Sequence, residues 1–104
     1  MDTNYIGGII RILELPKQQI RNNNILVTKV RAQIYKYPNS HVVILTFWGN
    51  LASNITTSFK IDDYFIIEGF ISIRDNSIFY YEPKKIEITI LKIYPIVQYN
   101  FFMN

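Results

Sequence analysis

His41-Val42-Val43-Ile44-Leu45-Thr46-Phe47-Trp48-Gly49-Asn50-Leu51-Ala52-Ser53-Asn54-Ile55 changes its hydrophobic period in mid-stretch. Up to Trp48 the side chains alternate between two faces, as a pleated strand requires. Val43, Leu45 and Phe47 share one face, and Val42, Ile44, Thr46 and Trp48 share the other. Beyond Gly49 the apolar residues Leu51, Ile55 and Phe59 recur at every fourth position, which predicts a short helix with Asn50 as its N-cap. A strand that feeds a short helix, within a chain otherwise built of strands, points to a small barrel with one end plugged.

Working outward, the upstream strand Ile25 to Tyr37 alternates cleanly. Thr28, Val30, Ala32 and Ile34 form one face; Lys29, Arg31, Gln33, Tyr35 and Tyr37 form the other. A Pro38-Asn39-Ser40 turn follows it. The first strand runs from about Asn4 to Leu15, with Gly7-Gly8 inside it as the mark of a bulge or sharp bend. Pro16 ends it, and a polar loop is expected through Lys17, Gln18, Gln19, Arg21 and Asn22-Asn23-Asn24. Downstream, Asp63 to Arg74 puts Phe65, Ile67, Gly69, Ile71 and Ile73 on one face. Tyr64, Ile66, Glu68, Phe70, Ser72 and Arg74 take the other. After Asp75-Asn76-Ser77 and the short run Ile78-Phe79-Tyr80-Tyr81, a last strand spans Ile86 to Tyr94. The order is three strands, a helix and two strands. That order predicts an all-β fold, a five-stranded OB-fold barrel with a short helix between strands 3 and 4. A β-sandwich suits five strands and a mid-chain helix less well. Residues 1–97 read as the domain and 98–104 as a short tail.

Composition agrees with a sheet. In 104 residues, 49% are hydrophobic and only 18% charged, which supports one folded core and argues against disorder. Ile, Val, Tyr and Phe dominate, and these suit a half-buried pleated surface. The net charge of +3 is compatible with a polyanionic partner without demanding one. With no cysteine, disulfides, thiolate metal sites and cysteine nucleophiles are excluded. No apolar run approaches the ~18 residues of a membrane span. Met1-Asp2-Thr3-Asn4 lacks the look of a signal or transit peptide. The expectation is therefore no membrane partner and work in the compartment of synthesis. The Ile, Asn, Lys and Tyr richness reads as coding from an AT-rich genome.

A binder of single-stranded nucleic acid without sequence preference needs cations for phosphates and flat rings for bases. The outer faces supply both: Lys29, Arg31, Tyr35 and Tyr37 on the second strand, Trp48 on the third, and Phe70 with Arg74 on the fourth. The plainer alternatives are a Trp48 packed under the helix, tyrosines that cover barrel surface, and Phe70 at a subunit contact. Lys84-Lys85 reads as solvated, and Phe79-Tyr80-Tyr81 as either a stacking loop or an oligomer contact. Catalysis is not expected. His41 is the sole histidine and sits by a turn, Asp62-Asp63 reads as a strand-entry turn, and no phosphate-cradling glycine loop is present. No cofactor or metal is implied.

The stretch Phe47-Trp48-Gly49-Asn50-Leu51-Ala52 resembles the aromatic-Gly-x-Leu-Ala junction of bacterial-type single-stranded DNA-binding proteins. Lys60-Ile61-Asp62-Asp63 looks like that family's Lys-x-Gly-Asp turn, and Ile66 to Arg74 like its Glu-Gly strand. The opening, Asn4 to Gly8 and Ile10 to Pro16, matches its Asn…Gly-x-Leu…Pro start, so the likeness runs from about residue 4 to 96. Within the family, the chain looks close to the open reading frame encoded in algal plastid genomes. The resemblance implies non-specific single-stranded DNA binding with Trp48 as a stacking ring, in support of replication, recombination or repair. It also implies a homo-oligomer, dimer or tetramer, with replication proteins as further partners and the plastid (chloroplast) as location. The departures are a short Tyr37–His41 hairpin, Val42 and Asn76 where the family has other tryptophans, and no acidic tail. These leave open an alternative resemblance to primosomal relatives, which would be protein-interaction modules of weak DNA affinity.

Overall fold

The apolar faces of five strands all point into one space, and the strands close around it. The computed structural model describes residues 4–20, 24–36, 39–55, 59–74 and 85–96, with backbone alone at 36, 55, 73, 74 and 85. Its elements are β1 (Tyr5–Ile12), β2 (Lys17–Ile20), β3 (Leu26–Lys36), β4 (Asn39–Trp48), α1 (Asn50–Ile55), β5 (Tyr64–Arg74) and β6 (Lys85–Pro95). β1 pairs antiparallel with β5 on one edge and β3 on the other. β5 runs antiparallel to β6, β6 parallel to β4, and β4 antiparallel to β3. The circuit β1–β5–β6–β4–β3–β1 is thus a closed five-stranded barrel, the OB arrangement.

The alternation read from the sequence gives the inner faces of the described strands, although Val27 and Thr46, on the outer side by parity, are buried as well. Val30, Ala32 and Ile34 of β3, Val43, Leu45 and Phe47 of β4, and Phe65 and Ile67 of β5 join Ile10, Ile12, Ile88 and Ile90 in one buried cluster. Full burial of each large aliphatic side chain contributes roughly 1.5–3 kcal/mol, so removing this set from water drives closure.

Three local expectations are corrected. The segment expected as a polar loop contains β2, which pairs with the first half of β3, Lys17 opposite Lys29 through Ile20 opposite Leu26. Its side chains are all exposed, so no hydrophobic alternation announced it. β1 and β2 run along the same edge of β3 with Ile12 opposite Ala32 and Lys17 opposite Lys29. Five steps along the first segment thus cover three along β3, and two residues near Pro16 are looped out. Pro16 has no N–H to donate to a ladder. Secondly, Gly7-Gly8 holds no bulge: β1 keeps register with β5 from Tyr5–Phe70 to Arg11–Tyr64. The irregularity lies at Glu68/Gly69 in the β5–β6 ladder. Thirdly, Gly49, not Asn50, caps α1. The Gly49 carbonyl accepts the first helical bond from the Ser53 N–H at 3.2 Å, and its φ of 62° is a left-handed value that glycine takes without strain.

α1 is anchored to the barrel by the buried Thr28 hydroxyl, which donates to the Ala52 carbonyl at 3.0 Å. Phe59 lies beyond the helix yet is buried, with its ring 5.8 Å from Phe47 and 4.7 Å from Phe65. It packs against that end of the barrel from outside the helix, whose stripe the sequence pattern extends to Phe59.

Two substitutions test this frame by thermal melting. A Cβ on Gly69 would overlap the backbone carbonyl oxygen of Thr89. Gly69→Ala should therefore lower stability by about 3 kcal/mol, and an unchanged melt would refute the tight β5–β6 approach. Asp62 holds a left-handed φ of 74°, at the position where the resembling family has glycine. Asp62→Gly should be at least as stable as the parent, because the relieved strain of about 1 kcal/mol matches or exceeds an exposed ion pair. Asp62→Ala, which keeps the strain and loses the pair, should be the less stable of the two.

Candidate nucleic-acid interface

Directly opposed residues on antiparallel strands point to the same side of the sheet. The β3–β4 register therefore lines up one outer strip: Trp48 opposite Val27, Thr46 opposite Lys29, Ile44 opposite Arg31, Val42 opposite Gln33 and Ser40 opposite Tyr35. From Val27 to Tyr35 this strip is about 26 Å long at roughly 3.3 Å per residue. Trp48 stands at one end, 46% exposed, and Tyr35 at the other, 45% exposed, so neither ring is core. Val27 is fully buried although it is no part of the barrel's core cluster, and it gives the strip an apolar floor beside Trp48.

The cations between the rings have partners. Lys29 Nζ lies 3.6 Å from Glu87 Oε1, and that carboxylate also accepts from the Thr46 hydroxyl at 2.7 Å. This explains why Thr46, on the outer side by parity, is buried. Arg31 Nε lies 3.7 Å from Glu14 Oε2, while the other Glu14 oxygen accepts the Arg31 backbone N–H at 3.2 Å. Glu14 thus fills the gap that the looped-out residues leave in the ladder.

At the Tyr35 end, the ring stacks on Tyr64 with centroids 6.3 Å apart and planes 25° from parallel. The Tyr35 hydroxyl donates to Gln33 Oε1 at 3.2 Å, and the same oxygen accepts from Arg11 Nη2 at 2.8 Å. Arg11 also pairs with Asp62 Oδ1 at 2.7 Å. The Tyr64 phenol is pushed above the usual tyrosine range, first by its hydrogen-bonding neighbour Tyr35 and then by burial.

Four of the residues predicted for the site, Lys29, Arg31, Tyr35 and Trp48, therefore share the β3–β4 strip. Phe70 does not join them. It is 49% exposed on β5, opposite Tyr5 of β1, with the two rings edge to face at 6.1 Å. Its surroundings are a second outer face, where Ile9 of β1, Ile66 of β5 and Tyr94 of β6 form one exposed row. Tyr37 lies outside the described residues, as do Phe79-Tyr80-Tyr81 and the Arg74 side chain; the Arg74 backbone ends β5 opposite Lys85. Glu14, Glu87, Arg11 and Gln33 were not singled out by sequence, because nothing local ties Glu87 to Lys29 across 58 positions. Gln33 alone carried a signal, its place on the basic-aromatic face. Among the described residues no group of three or more His, Cys, Asp and Glu could hold a metal ion, and no helix is long and apolar enough to cross a membrane.

No family model matches the sequence. It is 36% identical over 99 residues, 88% of each chain, to a protein of Trieres chinensis described as a candidate single-stranded DNA-binding protein, ycf41. Among solved structures, the small single-stranded DNA-binding protein of Streptomyces coelicolor superposes with a TM-score of 0.76 at 14% identity, covering 93% of this chain and 96% of that one. The single-stranded DNA-binding domain of a Synechococcus protein gives 0.73 at 17% identity, over 90% and 97% of the two chains. The second single-stranded DNA-binding protein of Mycobacterium smegmatis gives 0.70 at 20%, over 92% and 96%. At these identities the structures speak for the fold, and the Trieres relative speaks for descent. The chain belongs to the ycf41 family of bacterial-type single-stranded DNA-binding proteins, built on the OB barrel.

Proposed function

We propose that the chain binds single-stranded DNA without sequence preference along the outer strip of β3 and β4, in support of DNA replication, recombination or repair. The observation that carries this reading is the pair of half-exposed rings, Trp48 and Tyr35, set about 26 Å apart on one strip with the exposed Arg31 side chain between them. Every base has a π-face, so stacking is tolerant of sequence, and phosphates need only positive charge. Tyr37 and Arg74 extend the same proposal from the sequence pattern alone. The ycf41 name of the Trieres relative supports a plastid location as part of this reading.

The reading includes a homo-oligomer. Exposed Ile9, Ile66 and Tyr94 make a contiguous row on β1, β5 and β6, flanked by the Tyr5–Phe70 pair. Contiguous apolar surface of this kind marks contact sites. Because it lies apart from the β3–β4 strip, a second copy could seat there without covering Trp48. The same face favours one rival, a protein-interaction module of feeble DNA affinity whose partners are replication proteins.

Titration with oligothymidylate should quench Trp48 fluorescence and weaken as salt rises. Trp48→Ala should cost about 1–3 kcal/mol, roughly 5- to 150-fold in affinity. No binding at micromolar protein, or an undiminished Trp48→Ala variant, would favour the rival. In sedimentation, Ile66→Glu should shift the unliganded protein to a smaller species; an unaltered mass would remove this face from the assembly.

A further inference from the structure

The strip holds more basic side chains than it can offer to phosphate. We infer that the phosphate contacts fall to Lys17 and Arg31, whereas the charge of Lys29 is committed to Glu87 and contributes little to nucleic-acid affinity. The inference rests on the DNA-binding reading above and divides its electrostatics among named residues.

Lys29 is one of the cations the sequence pattern selects, yet its side chain is only 27% exposed. Its ammonium lies against Glu87, whose side chain is 9% exposed and whose Oε1 also takes the Thr46 hydroxyl. A carboxylate withdrawn this far from water needs its countercharge, because an unpaired buried charge costs several kcal/mol. Moving Lys29 to a phosphate would take a cation away from Glu87 and set a second anion beside it. The pair therefore stays closed when DNA arrives.

Arg31 is differently placed. Its side chain is 58% exposed, and its nearest approach to Glu14 is through Nε. A guanidinium carries five donors in a fixed fork, so a guanidinium this exposed has donors to give a phosphate while Nε stays near Glu14. Glu14, held by the Arg31 backbone N–H, acts as a positioning residue.

Lys17 completes the assignment. β2 sets it directly opposite Lys29, so it projects from the same outer surface, and it is exposed. Among the described residues it forms no ion pair. Two lysines opposed in register repel each other, and Glu87 relieves that repulsion by neutralising the inner one. The outer ammonium is left for solvent or phosphate.

The test is a set of oligothymidylate titrations over a range of salt, with the logarithmic salt slope as readout. One phosphate contact on a single strand is worth about 0.7 in that slope. Lys17→Gln and Arg31→Gln should each flatten it by about 0.7 and weaken binding several-fold. Lys29→Met combined with Glu87→Gln removes the pair as a unit and should leave the slope unchanged; thermal melting checks that it folds. Glu87→Gln alone releases Lys29 and should steepen the slope by about 0.7. A double variant that flattens the slope as much as Arg31→Gln, or a Lys17→Gln variant that leaves it untouched, overturns the assignment. If the unaltered chain shows no binding at all, the DNA-binding reading falls first, and that result is distinct from either.

Discussion

β1 pairs with two strands at once, and the rest of the molecule depends on that double pairing. Along Tyr5–Arg11 it bonds to β5, and along Ile9–Ile12 it also bonds to β3. The sheet can close only because one strand serves both edges. Closure gives every strand an inside and an outside, and the inside takes Ile10, Ile12, Ile67 and Ile88 out of water. An open sheet of the same strands would leave one apolar face wet and two edges exposed. The tight passage at Gly69, where β5 slips one residue against β6, belongs to the same requirement, since a small barrel must bend its strands sharply somewhere.

Once closed, the barrel sorts its outer residues into two sectors of different chemistry. Across β3 and β4, rings at the two ends bracket charges and amides. Across β1, β5 and β6, Ile9, Ile66 and Tyr94 are joined by Tyr5 and Phe70. The stacked Tyr35 and Tyr64, with Arg11 and Gln33 beneath them, mark the border between the two. The two sectors then share about a hundred residues without drawing on the same side chains.

The ion pairs show why counting surface charge is a poor guide to a polyanion site. A net charge of +3 leaves no large excess, and three of the described cations already face carboxylates of their own chain, Arg11 with Asp62, Lys29 with Glu87 and Arg31 with Glu14. What distinguishes them is burial. An exposed pair exchanges partners at little cost, whereas a pair with one member shut away from water does not.

Period and composition alone determined a good deal of this protein. Alternation in Ile25–Tyr37, His41–Trp48 and Asp63–Arg74 identified the strands and their inner faces, because a half-buried strand cannot avoid a period of two. The change of period at Gly49 located the helix, and the aromatic-Gly-x-Leu-Ala junction pointed to the family. Only the tertiary structure decided three other things. β2 was illegible because all its side chains are wet, and a strand exposed on both faces carries no hydrophobic signature. The separation of Phe70 from Trp48 depends on which strands become neighbours around the barrel, and alternation along one strand says nothing about that. The pairing of Lys29 with Glu87 arises where β6 lies parallel beside β4, a contact that closure creates between segments far apart in the chain. Periodicity is a local property of the chain, whereas the partners of a charged group are set by the global circuit of strands.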